Sequence, residues 1–287
     1  MKTRKLILSG TMIMIALSLV ITGCRKTVKE DDDTAGAQDN ALAEGSFNDV
    51  GQISDEAAKG SVSNYKSTEY ESILSHCASV EFDTLNSADD DSITVDFGST
   101  NCLCHDNRYR RGKLYITYTA GKKYWDSLAV ITIKTAPTNN YYVNDHHVSG
   151  TKTVANKGHN SSGNMNWDIN VNGQIVKANG QGSISWISTR NREWIFGETS
   201  PLDRTDDIYS ITGSSNGTSA AGNNFTATIT SPLIKKMNCW WIVSGTSSLD
   251  PGNGKPIRYV DFAPKSNGTC DNWISVTING NTYYRQI

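Results

Sequence analysis

Residues 274–287 read ISVTINGNTYYRQI. Ile274, Val276 and Ile278 alternate with Ser275 and Thr277, the period of a half-buried strand. Asn279-Gly280 follows, and both residues tolerate the positive φ that a type I′ turn requires. A second run, rich in Thr and Tyr, closes the stretch. The segment therefore predicts a β-hairpin. The same signature recurs upstream in SITVDF (92–97), KLYITYT (113–119), SLAVITI (127–133), NWDINV (166–171), GSISWIS (182–188), FTATIT (225–230), WWIVSG (240–245), IRYVDF (257–262) and WISVTI (273–278). Further Asn-Gly pairs stand at 172–173, 179–180, 216–217, 253–254 and 267–268. Of these, DINVNGQIVK (168–177) reads as a second sharp hairpin. Many short strands with frequent turn signals predict an all-β chain, either an antiparallel sandwich or a curled β-meander with many hairpins. No alternation of strand and helix suggests a parallel sheet.

Outward toward the N-terminus the pattern changes. Residues 41–60, ALAEGSFNDVGQISDEAAKG, space Phe47, Val50, Ile53 and Ala57 at three and four. That is one face of a short helix, weakened by Gly45 and Gly51, and expected either to lie against the domain or to fray from it. Residues 24–40 are charged and poor in aliphatics, which predicts a disordered acidic tether. The chain begins with the basic MKTRK and a charge-free run from Leu6 to Ile21. This is the pattern of an export signal. The run is too short, at about 24 Å of helix, for a bilayer core of about 30 Å. It ends in ITGC (21–24), which resembles the bacterial lipoprotein box. By that resemblance residues 1–23 are a signal peptide, and Cys24 is the lipidated, palmitate-bearing mature N-terminus. Several acyl chains suffice for stable anchoring. The run KEDDD (29–33) resembles the acidic export tag of surface lipoproteins of the Bacteroidota. The expected location is thus the outer membrane, with the lipid-anchored chain on its cell-surface or its periplasmic side.

Removal of residues 1–23 takes away three basic residues and no acidic ones, leaving 24 Lys+Arg against 29 Asp+Glu, a net charge of −5. No basic stripe remains to hold nucleic acid. Residues 61–287 are long enough for one large β domain. With Cys24 lipidated, five cysteines remain, and an exported protein meets an oxidising compartment. Sequence proximity pairs Cys77 with Cys102 or Cys104, and Cys239 with Cys270. The cluster Cys102-Leu103-Cys104-His105 lacks zinc-knuckle spacing, so neither metal nor other cofactor is expected. The segments from Val95 (VDFGSTNC) and Val260 (VDFAPKSNGTC) echo one another. A repeat, or the shared needs of a bridged strand–turn–strand, would each account for that.

Taken together, DNALAEGSFNDVGQISDEA (39–57), VDFGSTNC (95–102), RRGKLYITYT (110–119), TRNREWIFG (189–197), YSITGSSNG (209–217) and GTCDNWISVTINGNTY (268–283) resemble a group of uncharacterised Bacteroidota lipoproteins. The resemblance spans most of the mature chain and implies an envelope location without an assigned activity. Ala263-Pro264 stands where a glycine is expected after Asp261-Phe262.

No His-Glu-x-x-His, Walker loop or nucleophile elbow is present, so no catalytic residue is assigned. Asp145-His146-His147 offers two imidazoles, but adjacent strand residues face opposite ways. The leading expectation is a non-catalytic binding or structural protein, its ligand a glycan, a protein or an envelope component. The rival is a carbohydrate-active hydrolase using paired carboxylates among Glu193, Glu198, Asp203, Asp206 and Asp207. Trp240 and Trp241, adjacent on an expected strand, would put one indole outward, either to be covered by a loop or to stack on a sugar. Asp-Ser/Thr-aliphatic triplets at Thr34, Thr84, Ser92 and Ser127 resemble the O-glycosylation sequon of exported Bacteroidota proteins, with Thr34 and Ser92 expected to be exposed.

Overall fold

A computed structural model of the chain describes residues 30–59, 74–83, 91–122, 125–135, 140–200, 205–265 and 268–287. The expected signal peptide, Cys24, Thr84 and Asp203 lie outside these residues. The first strands are β1 (Ser79–Asp83), β2 (Asp91–Asp96), β3 (Cys102–Leu103), β4 (Tyr109–Arg111), β5 (Lys113–Tyr118), β6 (Val130–Lys134) and β7 (Tyr142–Val143). Five long strands follow: β8 (His146–His159), β9 (Met165–Val176), β10 (Ser183–Phe196), β11 (Ile208–Thr218) and β12 (Asn224–Lys236). The sheet ends with β13 (Ile242–Asp250), β14 (Arg258–Asp261), β15 (Trp273–Ile278) and β16 (Asn281–Gln286). All belong to one antiparallel sheet in the order β1-β2-β5-β6-β8 and then sequentially to β16, with β3, β4 and β7 as a side branch on β8. Of the two expected architectures, the meander is the one observed.

Among the described residues one α-helix, α1 (Ala35–Lys59), accompanies the sheet. Asp33 starts it by accepting the Ala35 N–H at 3.1 Å, satisfying a donor that the first turn leaves open. The helix is longer than expected and begins inside the segment assigned to the tether. It also does not lie on a surface. Phe47, Val50, Ile53 and Ala57 are buried as their spacing predicts, yet so are Asp39, Glu44, Asp49 and Asp55 on other sides. From Ala35 to Ala58 no residue is exposed. Successive strands reach the helix from all round: Gln286 at the last strand bonds Gln38, Trp186 in β10 bonds Asn40, and Arg110 in β4 bonds Asp49. The sheet is therefore curled around α1, and inward residues such as Ile93, Ile116, Ile133, Ile175, Ile184, Val260 and Val276 form a sleeve of core about it.

The 279–280 turn is as read: Asn279 and Gly280 have φ of 50° and 85°, and Ile278 pairs with Asn281. The hairpin expected at 172–173 is absent. β9 runs straight through, with Asn172 opposite Ile187 and Gly173 opposite Trp186. Gly173 is there because the Phe47 ring presses on it; a Cβ would sit 2.1 Å from Phe47 Cζ. Asn216-Gly217 is likewise interior to β11, where a Cβ on Gly217 would stand 2.0 Å from the Ser185 carbonyl oxygen. In α1 the two glycines that weaken the helix leave room for partners: Gly45 faces the Trp240 indole and Gly51 the Lys152 ammonium.

Disulfides join Cys77 to Cys102 and Cys239 to Cys270, and Cys104 is a buried free thiol. Burial pushes that thiol's pKa up. The two Val-Asp-Phe segments share a local design. Asp96 and Asp261 each accept the N–H two residues on, at 2.8 and 2.9 Å, and Phe97 and Phe262 are both buried. The second turn forms with Ala263 where the first has Gly98, so the expected glycine is not required.

Candidate functional site

The interior charges are the most heavily built feature of the molecule. Glu44 accepts from Arg190 Nε and Nη2 at 3.2 and 2.7 Å. Asp49 accepts from Arg110 at 2.7 Å, Arg108 at 3.5 Å and the Tyr141 hydroxyl at 3.1 Å. Asp106 holds the far side of the Arg110 guanidinium with both oxygens, at 2.7 and 2.6 Å. Asp55 meets Arg192 at 3.4 Å, and Asp39 meets Lys177 at 2.9 Å. Asn40 accepts from the Trp186 indole and the Ser215 hydroxyl, both at 2.9 Å. Burial would lower the Arg110 pKa, but Asp49, Tyr141 and Asp106 outweigh it and raise it. Arg108 is lowered to about 10, chiefly by burial. Lys152 donates to the Phe47 carbonyl at 2.7 Å. Burial, with Arg192 nearby, lowers its pKa to about 8. Acids of the helix thus pair with bases of the strands and of the loops beside them, and the helix occupies the space that the sheet curls around.

Of the acids expected to make a hydrolytic pair, Glu193, Glu198 and Asp206 are each held by a local partner. Glu193 accepts from the Asn160 and Asn164 amides at 2.7 and 2.8 Å, and these bonds hold its carboxyl below the usual range. Glu198 lies 2.6 Å from His159 Nε2. Asp206 accepts from Ser200 at 2.6 Å, and Asp207 is buried at the start of β11. Trp240 and Trp241 precede β13 instead of lying in it, so strand alternation does not govern them. Trp240 sits between Gly45 of the helix and the Arg108 guanidinium, which covers its ring. Trp241 packs edge-on against it, half-buried.

Asp145 belongs to the turn between β7 and β8 and bonds Arg111 at 2.5 Å and Asn101 at 3.0 Å. His146 accepts the Ala178 N–H at 3.1 Å, while His147 packs on Tyr142. Of the glycosylation candidates, Ser127 is exposed and Ser92 half-buried. Thr34, expected to be exposed, is 4% exposed; its hydroxyl donates to Gln38 and accepts from Arg285. That oxygen is enclosed by the fold.

The outer face of β14–β16 carries aromatic side chains outside the expected site. Val260, Ile274 and Val276 point inward, so Tyr259, Trp273 and Tyr284 stand on the other face. Tyr259 and Tyr284 are 60% and 48% exposed, and Lys265 lies over the Trp273 ring at 3.2 Å. Exposed aromatics among Ser and Thr side chains suit stacking on a sugar ring or another protein. The chain was compared with protein-family models, with curated proteins and with solved structures, and it matches none of them.

Proposed function

We propose that this chain is an exported lipoprotein of the cell envelope, anchored in the outer membrane through Cys24 and related to the Bacteroidota surface lipoproteins that its motifs resemble. Its β body works by binding or as a structural element, with a glycan or a protein as ligand. The observation that carries the non-catalytic reading is the occupied interior. The space enclosed by the sheet holds α1, and its acids are spent on Arg110, Arg190, Arg192 and Lys177. Contact with a partner then falls to the outer face and loops, where Tyr259 and Tyr284 are offered.

The test has two parts. Cells fed an alkyne fatty acid should label the wild-type protein and leave a Cys24→Ala variant unlabelled. An unlabelled wild type would remove the lipoprotein reading. Protease added to intact cells, with a periplasmic protein as control, should degrade this chain while the control survives. Survival until lysis would move it to the inner leaflet.

A further inference from the structure

His76, Cys77 and Cys102 bring an imidazole and two sulfurs within 4.8 Å of one another. Cys77 is buried, Cys102 half-buried and His76 exposed. His76 Nε2 lies 3.8 Å from Cys102 Sγ and 4.0 Å from Cys77 Sγ. In a tetrahedral zinc site with Zn–S of about 2.3 Å and Zn–N of about 2.0–2.1 Å, the nitrogen-to-sulfur edge is about 3.6 Å. The imidazole therefore already stands at ligand distance from both sulfurs. What prevents metal binding in the oxidised chain is the bond between those sulfurs.

We propose that the Cys77–Cys102 bridge is a redox-gated metal site, which on reduction binds a thiolate-preferring ion of the zinc class through Cys77, Cys102 and His76. The reductant is a thiol. Its thiolate attacks one sulfur of the bridge, which releases the other as thiolate. A second thiol resolves the mixed disulfide and leaves as part of RS–SR. Two electrons pass to the protein, and the bridge becomes two cysteine thiols. A divalent ion then displaces the two thiol protons, and the two thiolates cancel its charge. The sulfurs need to part only to about 3.8 Å for the tetrahedral edge. A water, or His105, whose ring centre lies 6.3 Å from that of His76, takes the fourth position. The second bridge, Cys239–Cys270, is not part of any such His/Cys/Asp/Glu group among the described residues, so the property belongs to the first.

The probe is cobalt(II), followed by competition with zinc(II). The full body is reduced with a phosphine, desalted under argon, and its thiols counted to show that the bridge is open. Reduced wild type should bind one equivalent with thiolate-to-cobalt charge-transfer absorption, and the oxidised protein should not. His76→Ala, an exposed position that leaves the fold alone, should weaken binding more than about tenfold, since even an outer partner of a metal site is worth roughly ten- to a hundredfold. Cys77→Ser/Cys102→Ser keeps Cys104, Cys239 and Cys270 and sets the background. The proposal is overturned if reduced wild type binds no more tightly than that variant, or if His76→Ala binds as tightly as wild type.

Discussion

Replacing Asp49 by alanine tests whether the ion pairs inside the sheet hold the helix in place. Asp49 has a side chain 1% exposed and takes Arg110, itself fully buried, at 2.7 Å. It also accepts the Tyr141 hydroxyl. Breaking a buried pair by deleting one partner costs about 3–5 kcal/mol, because the other charge stays buried and unpaired. Here Asp106 remains on Arg110 with both oxygens and is partly exposed, so the lower end, about 3 kcal/mol, is expected. The denaturation midpoint in urea should fall by about 1 M, for a slope of about 3 kcal/mol/M. The sign of the mechanism is checked by Asp49→Leu/Arg110→Met. Removing both charges together spares the desolvation cost, and apolar pairs often replace buried ions without loss. The double variant should therefore be more stable than Asp49→Ala. A loss under about 1 kcal/mol for the single variant, or a double variant as unstable as the single, would refute the reasoning.

Gly173→Ala puts a methyl into the Phe47 ring and should cost about 1–3 kcal/mol as overpacking; with Phe47→Ala added, the combined loss should be less than the sum, measured by a double-mutant cycle. Lys152 has a folded pKa lowered to about 8 from 10.5, so between these values the unfolded chain binds more protons and stability from this group rises with pH. The stability difference between wild type and Lys152→Met should change across pH 8–10.5 in that direction, and a flat difference would show that Lys152 is not desolvated. Peptide mapping without reduction should find Cys77 joined to Cys102 and Cys239 to Cys270, with Cys104 alkylated only after unfolding. Alkylation of Cys104 in the folded protein would contradict its burial.

Much of the sheet was legible because its strands obey period two. Ile274, Val276 and Ile278 face in, and the same alternation marks Ile93 with Val95 and Leu114 with Ile116. The error at 172–173 shows where local signals stop. Asn-Gly marks a turn, but glycine also marks close approach of another group, here the Phe47 ring. The flanking pattern held the answer. Trp167, Ile169, Val171 and Ile175 keep one phase through Gly173. A two-residue turn would instead have put Gln174 on the inner face opposite Val171. Trp240-Trp241 failed for a different reason: the strand starts two residues later, so alternation was applied outside its range.

The enclosed helix was the hardest feature to read, and the reason is geometric. At about 100° per residue, Asp39, Glu44 and Asp49 lie about 140° apart, one to the next. The acids therefore point to several sides, and the helix shows no single polar face to mark a surface position. A helix with charges on several sides is usually solvated or unstable in isolation; here its apolar face packs on the core and its charged sides each meet a matching base. Those bases were visible in the strands. Arg190 and Arg192 continue the phase set by Ile184, Trp186 and Ser188, which point inward. Arg108 and Arg110 repeat the spacing near β4, and both are buried. Charges at alternate strand positions, in phase with the core, need counter-charges inside the sheet. The acids of residues 39–55 are the matching set in this chain. Read that way, the acidic helix and the two Arg-x-Arg pairs are one feature, and the helix belongs within the fold and not beside it.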